Sequence, residues 1–172
     1  MRTQASLALT AAVLICTCGI CSADSIDIIT AFDGWSWQGF AHEDSSPFKG
    51  SVNVTATNNG TEAWGDFHFE IFSPYGYDLS NIDFVVDAGY EPTSSQAPLS
   101  WIVDNSLPAS TLGLYFYGDP VAVGETATFT VYTDNTVDQV PNFGVIVYPS
   151  PVPEPATIAL LGLGSLLIHR KK

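Results

Sequence analysis

Aromatic side chains at alternating positions are the residues of this chain whose type and spacing best suit a binding chemistry. Trp35 and Trp37 lie two residues apart in a segment with strand character, so they are expected to share one strand face. Tyr115 and Tyr117 have the same spacing further along the chain. Flat, exposed aromatic rings can stack on sugar rings. Burial in the sandwich core is the favoured interpretation for any single tryptophan, and carbohydrate stacking by Trp35 and Trp37 is the alternative.

Histidines and carboxylates could support acid–base catalysis, but they form no recognisable catalytic set. His42 lies in a polar stretch that indicates a solvated loop. His68 and Glu70 lie two residues apart on a predicted strand, where both could reach one ligand. A glycosidase needs two carboxylates flanking a sugar ring, and an acidic chain supplies such pairs by chance. No catalytic residue is assigned, and the chain is not predicted to be an enzyme.

A polar cluster in a predicted loop is the candidate metal site. Asp134, Asn135 and Asp138 would place hard oxygen ligands together, as secreted calcium-binding modules do. Their spacing lacks the glycine and the distal glutamate of an EF-hand. Calcium is therefore a possible ligand of these residues, and no other cofactor is predicted.

The elements that would position these side chains are short strands. Apolar and polar residues alternate in eight or nine runs separated by turn residues, and none has the apolar spacing of an amphipathic helix. The Asp33-Gly34 pair favours a hairpin between the first two runs. The predicted strands are 25–32, 35–40, 51–57, 63–72, 82–87, 99–103, 111–117, 125–133 and 142–148.

This strand content predicts an all-β fold, an antiparallel β-sandwich. The stretch G-S-V-N-V-T-A-T-N-N-G-T resembles the second and third strands of Ig-like or CARDB-like extracellular modules. The stretch V-A-V-G-E-T-A-T-F-T-V resembles a later hairpin of the same modules. A jelly roll is the main alternative architecture.

Charge is distributed very unevenly along the chain. Between Asp24 and Pro153 there are seventeen Asp and Glu residues against one basic residue, Lys49, which gives a formal charge of −16. Such a surface repels nucleic acid and anionic lipid head groups and attracts cations. The sequence therefore predicts no nucleic-acid partner.

The N-terminal residues 1–23 have the pattern of a secretory signal peptide. Arg2 provides a positive start, an apolar stretch follows, and Cys21-Ser22-Ala23 places small residues before a predicted cut ahead of Asp24. A lipoprotein signal is the alternative, although Ile or Thr precedes each cysteine. All three cysteines lie in this segment, so the mature chain is expected to have no disulfide and no thiolate metal site.

The C-terminal residues have the pattern of a membrane anchor. Pro153, Glu154 and Pro155 precede an uncharged apolar run, which ends in the basic residues Arg170, Lys171 and Lys172. An apolar helix held in lipid with its basic end on the cytoplasmic side has this composition. A transmembrane helix with a basic tail is therefore predicted for residues 156–172.

Residues 152–172 resemble the PEP-CTERM protein-sorting signal of Gram-negative and related bacteria, since the triplet, the apolar run and the basic end occur in this order. The resemblance implies processing by an exosortase, a membrane protease-transpeptidase that acts near the triplet Pro153 to Pro155. It also implies association with exopolysaccharide and biofilm matrix.

These features divide the chain into a signal peptide (1–23), a β-sandwich ectodomain (24–148), a Pro-rich linker with the triplet (149–155) and the membrane segment (156–172). The predicted function is a structural or adhesive role at the cell surface or in the extracellular matrix, after sorting through the C-terminal signal. A carbohydrate-binding module is the alternative, and a glycan hydrolase is a less favoured one. Whether the protein stays anchored or is released is left open.

Overall fold

The computed structural model describes residues 24–106 and 109–152, which form ten β-strands and no helix. The all-β prediction is confirmed for these residues, among which no helix is long and apolar enough to span a membrane. The predicted signal peptide, the Pro153-Glu154-Pro155 triplet, the membrane helix and the basic tail lie outside them. The strands are β1 (Asp24–Phe32), β2 (Gln38–Glu43), β3 (Lys49–Asn58), β4 (Trp64–Phe72), β5 (Asp83–Val85), β6 (Thr93–Ser94), β7 (Ser100–Asp104), β8 (Thr111–Tyr115), β9 (Thr126–Asp134) and β10 (Asn142–Pro151).

The strands form two five-stranded sheets. The first sheet has the order β1-β3-β9-β5, with the short β6 also paired to β9. The second sheet has the order β2-β10-β4-β8-β7. The two sheets meet in one core, where the Phe67 ring of β4 stacks on the Phe129 ring of β9 at a centroid distance of 4.4 Å. Two sheets across a shared core are the arrangement expected of a β-sandwich.

Alternation along the strands decides which side chains reach this core. In β4, Phe67, Phe69 and Ile71 are buried, whereas His68 and Glu70 between them are half-buried on the other face. The rings of Phe32 and Phe67 meet edge to face at 5.8 Å, so strand β1 of the first sheet contributes to the same aromatic core. The alternate face of β4 is left free to form a surface.

The hairpin predicted at Asp33-Gly34 is wrong, because β1 and β2 belong to different sheets. Strand β1 pairs in parallel with β3, from Asp24 opposite Gly50 to Phe32 opposite Asn58, so the sheets are not purely antiparallel. Strand β2 pairs with β10 instead. Both strands direct apolar side chains into the same core from opposite sides, and alternation alone cannot distinguish that arrangement from a hairpin.

Strands β8 and β9 also follow each other in the chain without pairing, since β8 lies in the second sheet and β9 in the first. Among the described residues, β7 and β8 are the consecutive strands that pair with each other. Most connections therefore cross from one sheet to the other.

The last strand continues past its predicted end at Tyr148 to Pro151, so the first residues of the predicted linker belong to β10. Pairing of β10 with β2 stops at Val147, and the pairing with β4 continues through Pro149 opposite Phe67. Proline lacks an N–H group and fits a strand where no neighbour needs that donor. Pro149 meets this condition because its nitrogen faces the side on which β2 has ended.

Candidate functional site

The segment Asp33–Trp37 between β1 and β2 holds two exposed tryptophans. The side chain of Trp35 is 44% exposed and that of Trp37 is 67% exposed. The prediction that they share a strand face is wrong, since β2 begins only at Gln38. They lie in the loop that crosses between the sheets, and the favoured expectation that each is buried in the core is wrong.

Gln38 fastens the end of this loop. Its Nε2 donates to the backbone carbonyl of Ala31 at 2.8 Å, and its Oε1 accepts from the hydroxyl of Thr30. Both partners lie on β1, so the side chain of Gln38 joins the two ends of the loop. The tryptophans are thereby held on a short loop with fixed ends.

The two tryptophans border a surface groove of about 360 Å³. Its other walls are Glu70 of β4 and Ile146 and Tyr148 of β10. The pairing of β10 with β4 places Ile146 opposite Glu70, on the face of the second sheet turned away from the core. The groove therefore combines three aromatic rings, one aliphatic side chain and one carboxylate.

Aromatic contacts continue from the groove across the sheet. The ring of Tyr148 is stacked on that of His68, with centroids 4.9 Å apart and planes at 15°. His68 in turn meets Tyr115 of β8 edge-on at 6.1 Å, and Tyr115 lies 6.1 Å from Tyr117. We call this surface the aromatic face; it comprises Trp35, Trp37, His68, Tyr115, Tyr117 and Tyr148. It crosses β10, β4 and β8, which are neighbours in the second sheet.

A glycine allows Tyr115 to lie flat on the sheet. A Cβ atom at Gly113 would come within 2.7 Å of the Tyr115 hydroxyl oxygen. Gly113 is paired with His68, so a side chain there would displace the ring that His68 contacts. The aromatic face thus depends on the absence of a side chain at this position.

Asp66 anchors the far end of the aromatic face. Its carboxylate accepts hydrogen bonds from His68 Nε2 at 3.1 Å and from the Tyr117 hydroxyl at 2.9 Å. Burial acts to raise the pKa of Asp66, but these hydrogen bonds outweigh it and hold the pKa below its ordinary value. Burial, followed by the hydrogen bond to Asp66, raises the pKa of Tyr117 to about 12. The group is consequently an ionised carboxylate with two fixed donors.

Tyr148 also keeps its phenol proton. Burial first, and then the nearby carboxylates of Glu70 and Asp66, raise the pKa of Tyr148 above its ordinary value. A neutral phenol beside the Glu70 carboxylate gives the groove one hydroxyl donor and one anionic acceptor. These are the polar groups that would orient a hydroxyl-rich ligand.

The residues of the predicted calcium site engage in contacts within the protein. Asn135 is 1% exposed; its Nδ2 donates to Asp44 and to the Val140 carbonyl, and its Oδ1 accepts from the Val140 amide. Asp134 Oδ2 lies 3.0 Å from Lys49 Nζ. Asp138 Oδ2 accepts from Asn81 at 2.8 Å. Calcium binding here stays a prediction, and these contacts compete with it.

His42 lies on β2 and is half-buried, so its predicted place in a solvated loop is wrong. Its Nε2 is 3.5 Å from Asp24 Oδ2 and 3.8 Å from Asp44 Oδ1. Among the described residues, these three side chains form the group close enough together to hold a metal ion. Asp24 comes from the first sheet and His42 from the second, which is why sequence spacing did not join them.

Tyr148 and Ile146 were not predicted as site residues. The signal was present in the alternation of β10, where Val145 and Val147 are buried and Ile146 and Tyr148 face outward. Glu70 was noticed only as a neighbour of His68. What the sequence did not provide is the register that places Glu70 beside Ile146.

Comparison with known proteins finds a match to the C-terminal end of the chain. Residues 151–171 match the family model described as the PEP-CTERM protein-sorting motif. No curated protein and no solved structure matches the chain. The match agrees with the resemblance drawn from the Pro-Glu-Pro triplet, the apolar run and the basic end. The chain therefore carries a PEP-CTERM sorting motif, the signal of an exported protein that is handled by an exosortase at the membrane.

Proposed function

We propose that this exported protein has an adhesive role in the cell envelope or biofilm matrix, and that it binds carbohydrate through the groove of the aromatic face. The observation that carries the proposal is the exposure of Trp37 and Trp35 beside Tyr148 and Glu70. This proposal joins two hypotheses drawn from the sequence, the adhesive role and the carbohydrate-binding module.

Leaving large aromatic rings in contact with water is unfavourable in free energy, and burial in the core would avoid this penalty. Each Trp side chain could remove much apolar surface from water, and exposed clusters of this kind mark binding sites. Trp35 and Trp37 instead stay at the surface, on a loop whose ends are held by Gln38. A ligand that stacks on them would bury the apolar area that the fold leaves open.

The polar groups of the groove suit sugar hydroxyls. Glu70 can accept hydrogen bonds, and the phenol of Tyr148 can donate one. Rings that contact the sugar face, with a few polar groups at the rim, are the usual composition of small-ligand sites. The stacked pair Tyr148–His68 extends the contact surface toward β8.

Binding without catalysis is proposed because Asp66, the hydrogen-bonded carboxylate of this face, does not suit the acid role in glycoside hydrolysis. One of the two acids of a glycosidase must hold a proton near neutral pH. The pKa of Asp66 is shifted in the opposite direction, and its carboxylate is occupied by His68 and Tyr117. A hydrolase therefore remains the less favoured alternative.

The location of this role follows from the sorting motif. We propose that residues 1–23 direct export, that residues 156–172 hold the chain in the membrane for an exosortase, and that the ectodomain then contacts exopolysaccharide. The kinship of the two-sheet body with Ig-like or CARDB-like modules, or with jelly rolls, stays a prediction. Cleavage near Pro153 to Pro155 would release the ectodomain, and an uncut tail would keep it at the cell surface.

Binding of the producing cell's exopolysaccharide is the direct test. The full-length chain, purified in detergent micelles, is expected to co-sediment with that polysaccharide, and Trp37→Ala is expected to weaken binding about tenfold or more. Tyr75→Ala is the matched control, because Tyr75 is 66% exposed and does not line the groove. Equal loss in both variants, or no binding by the unchanged chain, would remove the proposal.

A further inference from the structure

We propose that the glycan bound by the groove carries protonated amino groups, as an N-deacetylated amino-sugar polymer does. This inference rests on the proposed carbohydrate binding and adds the class of sugar. It is drawn from the charges around the aromatic face and from the location of the single basic residue of the ectodomain.

The outward face of the second sheet carries acids on strands β4 and β7. Glu70 lines the groove, and Asp66 lies on the same strand and the same face. Asp104 of β7 is paired with Thr111, the residue opposite Glu70, so it belongs to the same face. A ligand in the groove would therefore meet the negative charge of Glu70, while Asp104 lies two strands away at the edge of the same face.

No lysine or arginine balances these acids on the aromatic face. Lys49 is the one such residue between Asp24 and Val152, and it lies on β3 of the first sheet. Its Nζ lies 3.0 Å from Asp134 Oδ2 and 4.6 Å from the centre of the Tyr90 ring. The single lysine of this region therefore lies on the first sheet, where it is paired with Asp134. A uronate or sulfate on a glycan bound to the aromatic face would have no lysine or arginine beside it. His68, the titratable base on the face, already donates to Asp66.

An amino sugar suits both the aromatic rings and the negative charge of the groove. Its ring face can stack on Trp37 or Trp35, and its ammonium group can pair with Glu70 or lie over an indole ring. Over longer distances, the acidic surface would speed the approach of a polycation and repel an anionic polymer. An anionic exopolysaccharide is disfavoured on the same grounds.

Binding of defined oligosaccharides tests the inference. The probes are a glucosamine oligomer, its fully N-acetylated counterpart of equal length and an oligogalacturonate, measured by titration calorimetry on the full-length chain in detergent micelles. We expect the glucosamine oligomer to bind about tenfold more tightly than the acetylated one at low salt, and this preference to shrink at high salt. The oligogalacturonate is expected to bind most weakly.

Two variants separate this inference from the proposed function. Glu70→Gln keeps a hydrogen-bond acceptor but removes the charge, so it is expected to weaken glucosamine binding about threefold more than it weakens binding of the acetylated oligomer. Glu62→Gln removes the same charge from an exposed loop position and is expected to change neither. Equal affinity for the two oligomers, both sensitive to Trp37→Ala, would refute the amino-sugar inference and leave carbohydrate binding intact. Tightest binding of oligogalacturonate would also refute it, and binding insensitive to Trp37→Ala would refute both proposals.

Discussion

The ring of His68 lies parallel to the ring of Tyr148, with centroids 4.9 Å apart, and the same imidazole donates to Asp66 at 3.1 Å. The carboxylate therefore fixes the orientation of the imidazole, and the imidazole supports the tyrosine that lines the groove. Through these two contacts, Asp66 positions the ring of Tyr148 by way of His68.

Replacement of Tyr148 tests the role of this stacked pair. Tyr148→Ala removes one wall of the groove and is expected to weaken glycan binding about fivefold. It is expected to lower the free energy of unfolding by only about 1 kcal/mol, since the side chain is half-buried. Titration calorimetry and urea unfolding measure the two effects. Tyr148→Phe keeps the ring as a control, and a loss of binding equal to that of Tyr148→Ala would show that the hydroxyl rather than the stacking matters.

Asp66 predicts a pH dependence of stability. Its pKa is lower in the folded state than the ordinary value of about 3.9, so the stabilisation is fully present above that value. It is lost as the pH falls through the folded pKa, because the folded state must then take up a proton that it binds weakly. Asp66→Asn is therefore expected to lose less stability than the unchanged chain on acidification.

Thermal unfolding over an acidic pH series measures this difference. Asp33→Asn is the control, because Asp33 is exposed and its side chain makes no hydrogen bond to the other described residues. Parallel pH profiles for Asp66→Asn and the unchanged chain would contradict the assignment of Asp66 as a hydrogen-bonded, ionised group.

The strands were more predictable than their pairing. Alternation along β3 and β4 identified their buried faces because the side-chain period of a strand is a local property. It could not show that β1 pairs in parallel with β3, since that pairing joins segments separated by the whole of β2. The two-residue strand β6 was not predicted, because two residues are too few to show any alternation.

The difference between local pattern and long-range pairing also separates the predicted and unpredicted parts of the site. Trp35 and Trp37 were recognisable from residue type alone. Their neighbours Glu70 and Tyr148 depend on the register of β10 against β4, which the sequence does not reveal. The sorting motif was recognisable from sequence because it is one short continuous segment, residues 151–171.

Asn135 is expected to stabilise the fold through its hydrogen bonds, and this stabilisation is expected not to require calcium. Asn135→Ala would leave the Val140 amide and carbonyl and the buried Asp44 carboxylate without this partner. The expected loss is at least about 2 kcal/mol in the free energy of unfolding, with the same value in calcium and in a chelator. Urea unfolding under both conditions checks this. A loss seen only with calcium present would instead support a metal site at Asp134, Asn135 and Asp138.

Phe67 is expected to be the most sensitive core position among those that join the two sheets. Its ring is fully buried and contacts Phe129 of the first sheet and Phe32 of β1. Phe67→Ala is expected to cost about 3–5 kcal/mol, a large part of the stability of a domain of this size. Phe67→Leu should recover much of it, because it refills most of the volume. Urea unfolding of the two variants tests this, and a Phe67→Ala variant as stable as the unchanged chain would mean that the sheets do not depend on this contact.

Removal of residues 153–172 tests the separation of the ectodomain from its sorting signal. All ten strands lie within residues 24–152, and the last hydrogen bond of the body joins the Val152 amide to the Ala63 carbonyl at 3.2 Å. The described core is built from residues of these strands and their connections. We therefore expect the truncated chain to be secreted, soluble without detergent and as resistant to urea as the full-length chain. A further truncation from Pro149 would remove the pairing of Pro149, Ser150 and Pro151 with β4 and is expected to lower stability. Aggregation or unfolding of the first truncation, by circular dichroism and size-exclusion chromatography, would show that the tail belongs to the folded body.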